Sequence, residues 1–275
     1  MIVYVHIPFC HRICPYCSFY KHTPGSTDQQ AFIRAIIDEA HRSADEHKLD
    51  KISTLYLGGG TPSMLSPNHL TELFSGLKKA LPLDNSHITL EANPATFGPS
   101  KAQLFKQIGV DRVSLGIQSF ASSVLKTLGR EHNPEEATEA VQILQQAELD
   151  EINIDLMFSI PGQTIDHWSD TLDNAIALEP DHISAYNLTY EEDTPFFEQL
   201  RHHEDQDINA DMFTIADQKI CDAGFLHYET SNYARPSKES RHNLAYWQGD
   251  DYLGLGPSAV STISNNRWTN LPDTA

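Results

Sequence analysis

Short apolar stretches alternate with helix-like segments along most of the chain. Six stretches have the composition of buried strands, at residues 2–7, 52–57, 87–91, 112–116, 151–158 and 182–187. Between them, apolar residues recur at the spacing of an amphipathic helix. These periodic sets are Phe32, Ile36 and Ala40; Leu70, Leu73, Phe74 and Leu77; Val141 and Leu144; and Trp168, Leu172 and Ile176. The alternation predicts an α/β fold with a parallel sheet, curled as a barrel or part of one.

The boundaries of this pattern are set by capping residues and by a change of composition. Ser66-Pro67 and Asn133-Pro134 each place a polar N-cap before a proline, which predicts the start of a helix. After Asn187 the alternation weakens, and only residues 207–223, followed by Gly224, are predicted as a further helix. We therefore divide the chain into a partial barrel at residues 1–195 and a loop-rich C-terminal extension at 196–275.

Polar residues follow the predicted strands at the ends where ligands bind in parallel α/β folds. The first strand leads into a cysteine-containing loop, and the second into Gly58-Gly59-Gly60-Thr61-Pro62. The other strand ends carry Glu91 and Asn93; Gln118; Asn153 and Asp155; and Asn187 and Thr189. Since these ends meet at one edge of the sheet, we expect a binding site there.

Three of the four cysteines, Cys10, Cys14 and Cys17, lie in a C-x₃-C-x₂-C pattern on one short loop. Three thiolates can hold three irons of a [4Fe–4S] cluster and leave the fourth iron open to another ligand. The alternatives are a zinc site, which usually needs a second pair of ligands, and a redox pair. Cys221 lies too far along the chain to extend the pattern.

The glycine run after the second strand allows close approach of a ligand to the backbone. Its alternative interpretation is a tight turn after a strand. A phosphate-binding loop is not expected, because the Lys-Ser/Thr pair of such loops is missing. A zwitterionic amino-acid group on the open iron would suit this edge.

Composition narrows the classes of partner. The chain has 38 acidic and 19 basic residues, a formal net charge of −19, and no basic stripe, so nucleic-acid binding is not expected. It has no apolar run of transmembrane length and no signal peptide. Clustered cysteines without a disulfide framework fit the reducing cytoplasm.

The cysteine loop and the glycine run together resemble the radical S-adenosylmethionine (SAM) superfamily, which implies a partial (β/α)₆ barrel. Tyr4-Val5-His6-Ile7-Pro8-Phe9-Cys10 is more specific and resembles the oxygen-independent coproporphyrinogen III oxidase family. The same likeness extends to the segments Glu91-Ala92-Asn93-Pro94, Gly116-Ile117-Gln118-Ser119, Gly129-Arg130 and Asn153-Ile154-Asp155-Leu156-Met157. The resemblance runs from Tyr4 to about Asn270.

Two features favour the branch of HemW-type haem chaperones. Phe19 stands where the dehydrogenases carry a further cysteine, and residues 242–247 resemble that branch's H-N-x-x-Y-W signature. This resemblance implies that His242, Asn243, Tyr246 and Trp247 contact haem near the barrel mouth, and that haem passes to acceptor proteins, including membrane-associated haem enzymes. The alternatives are an oxygen-independent coproporphyrinogen III oxidase, an iron–sulfur binding module, a barrel without function, and a structural role for residues 242–247. Val260 stands at a position where many relatives have a histidine. The resemblance also implies that the chain is truncated, because relatives continue past the segment at residues 267–270.

The resemblance also implies which residues hold the cofactors. Cys10, Cys14 and Cys17 would ligate the cluster. Tyr4, Gly59 and Glu91 match residues that contact a first S-adenosylmethionine. A second molecule is bound in the dehydrogenases by positions that match Tyr16, Gly60, Thr61, Gln118, Arg130, Asp155 and Thr189. Among these, Asp155 suits ribose hydroxyls and Arg130 suits a carboxylate.

Overall fold

The computed structural model of the chain describes residues 1–200 and 206–274. Six parallel strands form its centre: β1 (Ile2–Ile7), β2 (Thr54–Gly59), β3 (His87–Ala92), β4 (Arg112–Gln118), β5 (Glu151–Phe158) and β6 (His182–Asn187). Each pairs in parallel with the next strand along the chain, and β6 does not return to β1, so the sheet stays open. The predicted α/β fold with a partial parallel barrel is confirmed.

Helices connect and cover these strands. They are α1 (Gln29–His47), α2 (Pro67–Ala80), α3 (Pro99–Gln107), α4 (Ser122–Thr127), α5 (Pro134–Gln146), α6 (Ile165–Ala177), α7 (Pro195–Leu200), α8 (Gln206–Asp222) and α9 (Arg241–Gln248). The hydroxyl of Ser66 accepts a hydrogen bond from the N–H of His69, and Asn133 forms a capping box with Glu136. Both predicted helix starts are therefore confirmed, and each cap satisfies N–H groups that the helix leaves free.

The core lies between the sheet and the apolar faces of the helices. The periodic residues of α2, Leu70, Leu73, Phe74 and Leu77, are all buried. Trp168 of α6 is buried as well, and its indole N–H donates a 2.8 Å hydrogen bond to the carbonyl of Met212 in α8. This contact joins the barrel to the helix that follows it. None of the helices in the described part of the chain combines the length and apolar character needed to cross a membrane.

The region after residue 195 contains more regular structure than its sequence indicated. It adds β7 (Leu226–Glu229), β8 (Asn232–Ala234), β9 (Tyr252–Leu255), β10 (Val260–Ile263) and β11 (Asn266–Thr269). Strand β8 pairs antiparallel with β6 at one edge of the sheet, and β9 pairs in parallel with β1 at the other. These strands are three or four residues long, too short for an alternating pattern to show. Residues 201–205 and 275 of the predicted extension lie outside the described residues, and the division at residue 195 stays a prediction.

Candidate cofactor site

A cavity of about 460 Å³ opens at the carboxyl ends of the parallel strands. Its wall combines the cysteine loop after β1 with residues from the ends of β2, β3, β4, β5 and β6. The volume lies within the range of small-molecule and cofactor sites. Of the polar residues that the sequence placed at this edge, Glu91, Asn93, Gln118, Asp155 and Thr189 surround this one space, whereas Asn153 and Asn187 are not part of its wall.

The three clustered cysteines lie together on the wall of this cavity. Cys10, Cys14 and Cys17 are half-buried free thiols. The hydroxyl of Thr61 lies 3.8 Å from the sulfur of Cys10, and Arg130 Nη1 lies 3.8 Å from that of Cys14. Burial raises the pKa of Cys10 to about 11, so iron binding, which needs the thiolate, would release a proton.

The arrangement of these thiols fits a cluster better than a single ion. In the part of the chain that the structure describes, no three histidine, cysteine or acidic side chains are grouped so that they could hold one metal ion. In a four-iron cluster each thiolate binds a different iron. Three thiols on one loop can therefore ligate the cluster without all three sulfurs being within bonding distance of one metal ion. Cys221 lies exposed on α8 and is not part of the cavity wall.

The residues that the resemblance assigned to S-adenosylmethionine are mostly brought together here. The cavity wall includes Tyr16, Gly59, Gly60, Thr61, Glu91, Gln118, Arg130, Asp155 and Thr189. Positions implied for a first and for a second molecule therefore line one continuous space. Tyr4 does not line it: its hydroxyl lies 2.9 Å from Nδ1 of His6, deeper in the barrel.

Two half-buried carboxylates, those of Glu91 and Asp155, lie on the wall of the cavity. Glu91 accepts hydrogen bonds from the Tyr56 hydroxyl at 2.9 Å and from the Gly59 N–H at 3.0 Å. Asp155 accepts from Ser114 at 2.9 Å and from the Asn153 amide at 2.8 Å. Burial, together with their mutual repulsion, raises the pKa of Glu91 to about 7, and burial raises that of Asp155 as well. A polar ligand that donates to them would stabilise their charged forms.

Arg130 offers an unused donor beside these acids. Its terminal nitrogens donate to the Asn93 side chain and to the carbonyl of Gly116. Its Nε is buried and has no hydrogen-bond partner among the described residues. Protein atoms cover this Nε, so the part of the guanidinium that forms the cavity wall is what suits an acceptor such as a ligand carboxylate.

Gly59 and Gly60 serve the packing of the barrel more directly than the ligand. A Cβ added at Gly59, whose φ is +109°, would lie 2.4 Å from the His6 ring. One added at Gly60 would lie 2.7 Å from the backbone of Pro8 and Phe9. Substitution at Gly59 would therefore disturb His6 of β1, and substitution at Gly60 would disturb the backbone that leads into the cysteine loop.

Several residues of the cavity wall were not singled out from the sequence, among them Tyr56 and Ser114. Each stands within a parallel strand rather than after it. A polar side chain in an otherwise apolar strand is the signal that could have identified them, since alternate residues of a strand face the barrel interior.

The segment 242–247 lies at the opposite end of the barrel, so its predicted position near the mouth is wrong. His242, in α9, forms a 2.6 Å hydrogen bond with the hydroxyl of Thr54, the first residue of β2. Its ring stacks on Tyr56 with the centroids 4.9 Å apart. The cause is topological: Ala234 of β8 pairs with His182, so the chain leaves the sheet at the amino ends of the strands.

The four residues of the signature differ sharply in exposure. His242 is 4% exposed, its Nε2 is buried without a partner among the described residues, and burial lowers its pKa to about 3. Asn243 is half-buried, whereas Tyr246 and Trp247 are 41% and 63% exposed. In this conformation the histidine closes the base of the barrel, and only the two aromatic rings are accessible to a large ligand.

Comparison with known proteins identifies a matching family model and several similar proteins. Residues 4–175 match the radical SAM superfamily model. The chain is 37% identical over 264 residues to "Heme chaperone HemW" of Escherichia coli (strain K12), covering 95% of this chain and 70% of that protein. It is 34% identical over 273 residues to the protein of the same name from Lactococcus lactis (strain IL1403), covering 98% and 71%.

The structure has a close match among solved folds. It superposes on the radical SAM enzyme coproporphyrinogen III oxidase (HemN) from Escherichia coli with a TM-score of 0.86, over 99% of this chain and 67% of that one. Sequence identity between the two is 24%, so this likeness establishes the fold alone.

Proposed function

The chain belongs to the radical SAM superfamily and, within it, to the HemW family, and on this premise we propose that it is a haem chaperone. It would carry a [4Fe–4S] cluster on Cys10, Cys14 and Cys17, bind S-adenosylmethionine beside the cluster, and pass haem to acceptor proteins. The observation that carries the cofactor part is the single cavity that all three thiols share with every implied nucleotide position except Tyr4.

Two polar residues of the cavity wall, Arg130 and Asp155, have surroundings that support a role in binding the nucleotide. When bound, the cluster supplies one-electron chemistry beside an open iron. The guanidinium of Arg130, which is part of the cavity wall, would receive the nucleotide's carboxylate. Asp155 already accepts two hydrogen bonds, and a carboxylate has lone pairs left for ribose hydroxyls.

Binding of S-adenosylmethionine should change the EPR spectrum of the reduced cluster, because its amino and carboxylate groups would become iron ligands. Asp155→Asn should raise the nucleotide concentration for the half-maximal change by about 10-fold or more, since a charge-assisted hydrogen bond contributes roughly 1.5–3 kcal/mol. Asp170→Asn, at an exposed position of α6, is the matched control and should leave the titration unchanged. An EPR spectrum that stays unchanged at saturating S-adenosylmethionine would contradict the assignment of the nucleotide site.

Coproporphyrinogen III should not be converted to protoporphyrinogen IX by the reduced protein with S-adenosylmethionine. The reason is Phe19, which stands where the dehydrogenases have a further cysteine and whose side chain is exposed at the cavity wall. Carbon dioxide release and product chromatography measure the reaction, with Cys17→Ala as the cluster-free background. Turnover above that background would favour the oxidase function over the chaperone.

We also propose that His242 anchors α9 to the base of the barrel. Its Nδ1 is occupied by Thr54, and its Nε2 is covered by protein atoms. An axial ligand needs an open approach to the iron, which this position lacks. The chaperone proposal does not depend on His242 as a ligand, and the place where haem binds is a separate question.

A further inference from the structure

A histidine–carboxylate pair stands at the mouth of the barrel, beside the cysteines. His11 lies between Cys10 and Cys14 and is part of the cavity wall. Its Nδ1 is 2.9 Å from both carboxylate oxygens of Glu131. The His11 side chain is 75% exposed, in contrast to the buried His242.

This pairing determines which nitrogen of the His11 ring is free. A carboxylate only accepts hydrogen bonds, so Nδ1 carries the proton and Nε2 of the neutral ring keeps its lone pair. Among the described residues no hydrogen bond to this Nε2 occurs. Metal-ligating histidines almost always donate the other ring N–H to a carboxylate, a carbonyl or water. His11 has that arrangement.

The surroundings decide which kind of metal fits. In the part of the chain that the structure describes, no three candidate ligands are grouped so that they could hold a bare ion. The cargo of the proposed function is a metal centre that brings most of its ligands with it. Haem does so, because the porphyrin supplies four nitrogens and leaves the axial positions to the protein. A [4Fe–4S] cluster held by the cysteines is a different centre, and His11 points from the same loop without being needed for it.

Two neighbours on the cysteine loop complement a porphyrin. Phe19, also on the cavity wall, is 66% exposed and offers a flat apolar surface. Arg12 lies exposed on the same wall and makes no ion pair with any described residue. In a protein of net charge −19 an unpaired exposed arginine is a ready partner for a propionate carboxylate.

We propose that Nε2 of His11 is an axial ligand of haem iron at the barrel mouth, with Phe19 against the porphyrin and Arg12 beside a propionate. This inference rests on the proposed chaperone function and names the site of its cargo. The imidazole lone pair forms the bond to iron and displaces a water from it; no proton or electron moves. Glu131 acts as a positioning residue that orients the ring.

The test is a titration of the cluster-reconstituted protein with ferric haem, followed by absorption difference spectra and resonance Raman spectra of the ferrous form. His11→Ala should lose the spectrum of imidazole-ligated haem, and added free imidazole should restore it. Glu131→Gln should keep that spectrum but weaken binding by about 10-fold or more and lower the iron–imidazole stretching frequency, as expected for an outer-shell partner. His41→Ala, at an exposed position of α1, is the matched control.

The outcomes separate the inference from the function on which it rests. If the wild-type protein binds no haem, the chaperone proposal fails. If it binds haem and His11→Ala keeps the same spectrum and affinity, the chaperone proposal stands and the His11 assignment is overturned. Loss of the spectrum without rescue by imidazole also overturns it, because a ligand cavity should accept the free base. Cluster iron is measured in every variant to reveal any disturbance of the cysteine loop.

Discussion

The Cys17→Ala protein, reconstituted anaerobically with iron and sulfide, should retain no more than about a tenth of the wild-type cluster iron, because a cluster held by three thiolates on one loop loses an indispensable ligand. Cys17 is half-buried on the cavity wall, and its N–H donates to the carbonyl of Cys14 at 3.3 Å. Removal of its thiol leaves the loop backbone in place. Iron and sulfide analysis and absorption near 400 nm measure the loss.

Cys221→Ala is the matched control for this experiment. It removes a thiol that is exposed on α8 and lies outside the cavity, so cluster content should equal that of the wild-type protein. Full iron content in Cys17→Ala would refute the cluster site. Loss of iron in both variants would instead point to a role of Cys221 that the geometry gives no reason to expect.

The parallel half of the fold could be predicted because its strands and helices carry strong periodic patterns. Their apolar faces are those that the structure buries, such as Leu70 and Leu73 of α2. The end of β2 was predicted two residues early, at Leu57. Glycine has low strand propensity, yet Gly58 and Gly59 pair with His6 and Ile7 of β1, so tertiary pairing extends the strand.

The candidate site was predicted in part for a similar reason. Strand ends of a parallel sheet must meet, so Glu91 and Asp155 could be placed at one edge without knowledge of any distance. The hydrogen bond from the Tyr56 hydroxyl to Glu91 could not be predicted. It depends on which residues of neighbouring strands face the barrel interior at the same level along the barrel axis. The unpaired Nε of Arg130 and the pairing of His11 with Glu131 likewise arise from loops that only the folded chain brings together.

The position of α9 is the clearest case where the sequence misleads. Its aromatic and histidine residues have the composition of a ligand site, and nothing local indicates which end of the barrel they reach. That end is set by β8, whose antiparallel pairing with β6 returns the chain to the amino ends of the strands. The contacts of Lys238 with Glu151 and Asp181, residues near the start of β5 and β6, then hold the segment there.

His242→Ala should lower the free energy of unfolding by about 2–4 kcal/mol, since it removes a buried ring and leaves a buried hydroxyl without its partner. The ring packs on Tyr56, and Thr54, which loses its hydrogen bond, is 1% exposed. In a protein of this size such a loss corresponds to a fall in Tm of roughly 4–7 °C. Denaturant unfolding and calorimetry measure both quantities.

Two further variants show whether the hydrogen bond itself carries part of this effect. Thr54→Val removes the hydroxyl but keeps the volume, so combined with His242→Ala it should destabilise by about 1 kcal/mol less than the sum of the single changes. His41→Ala, an exposed histidine of α1, should stay within about 0.5 kcal/mol of the wild-type protein.

Haem binding by His242→Ala should be close to normal at temperatures where the variant is folded. A lost Soret band with unchanged Tm and cluster iron would contradict the anchoring role and make His242 the haem ligand, because a residue that only closes the base of the barrel cannot be removed without a cost in stability.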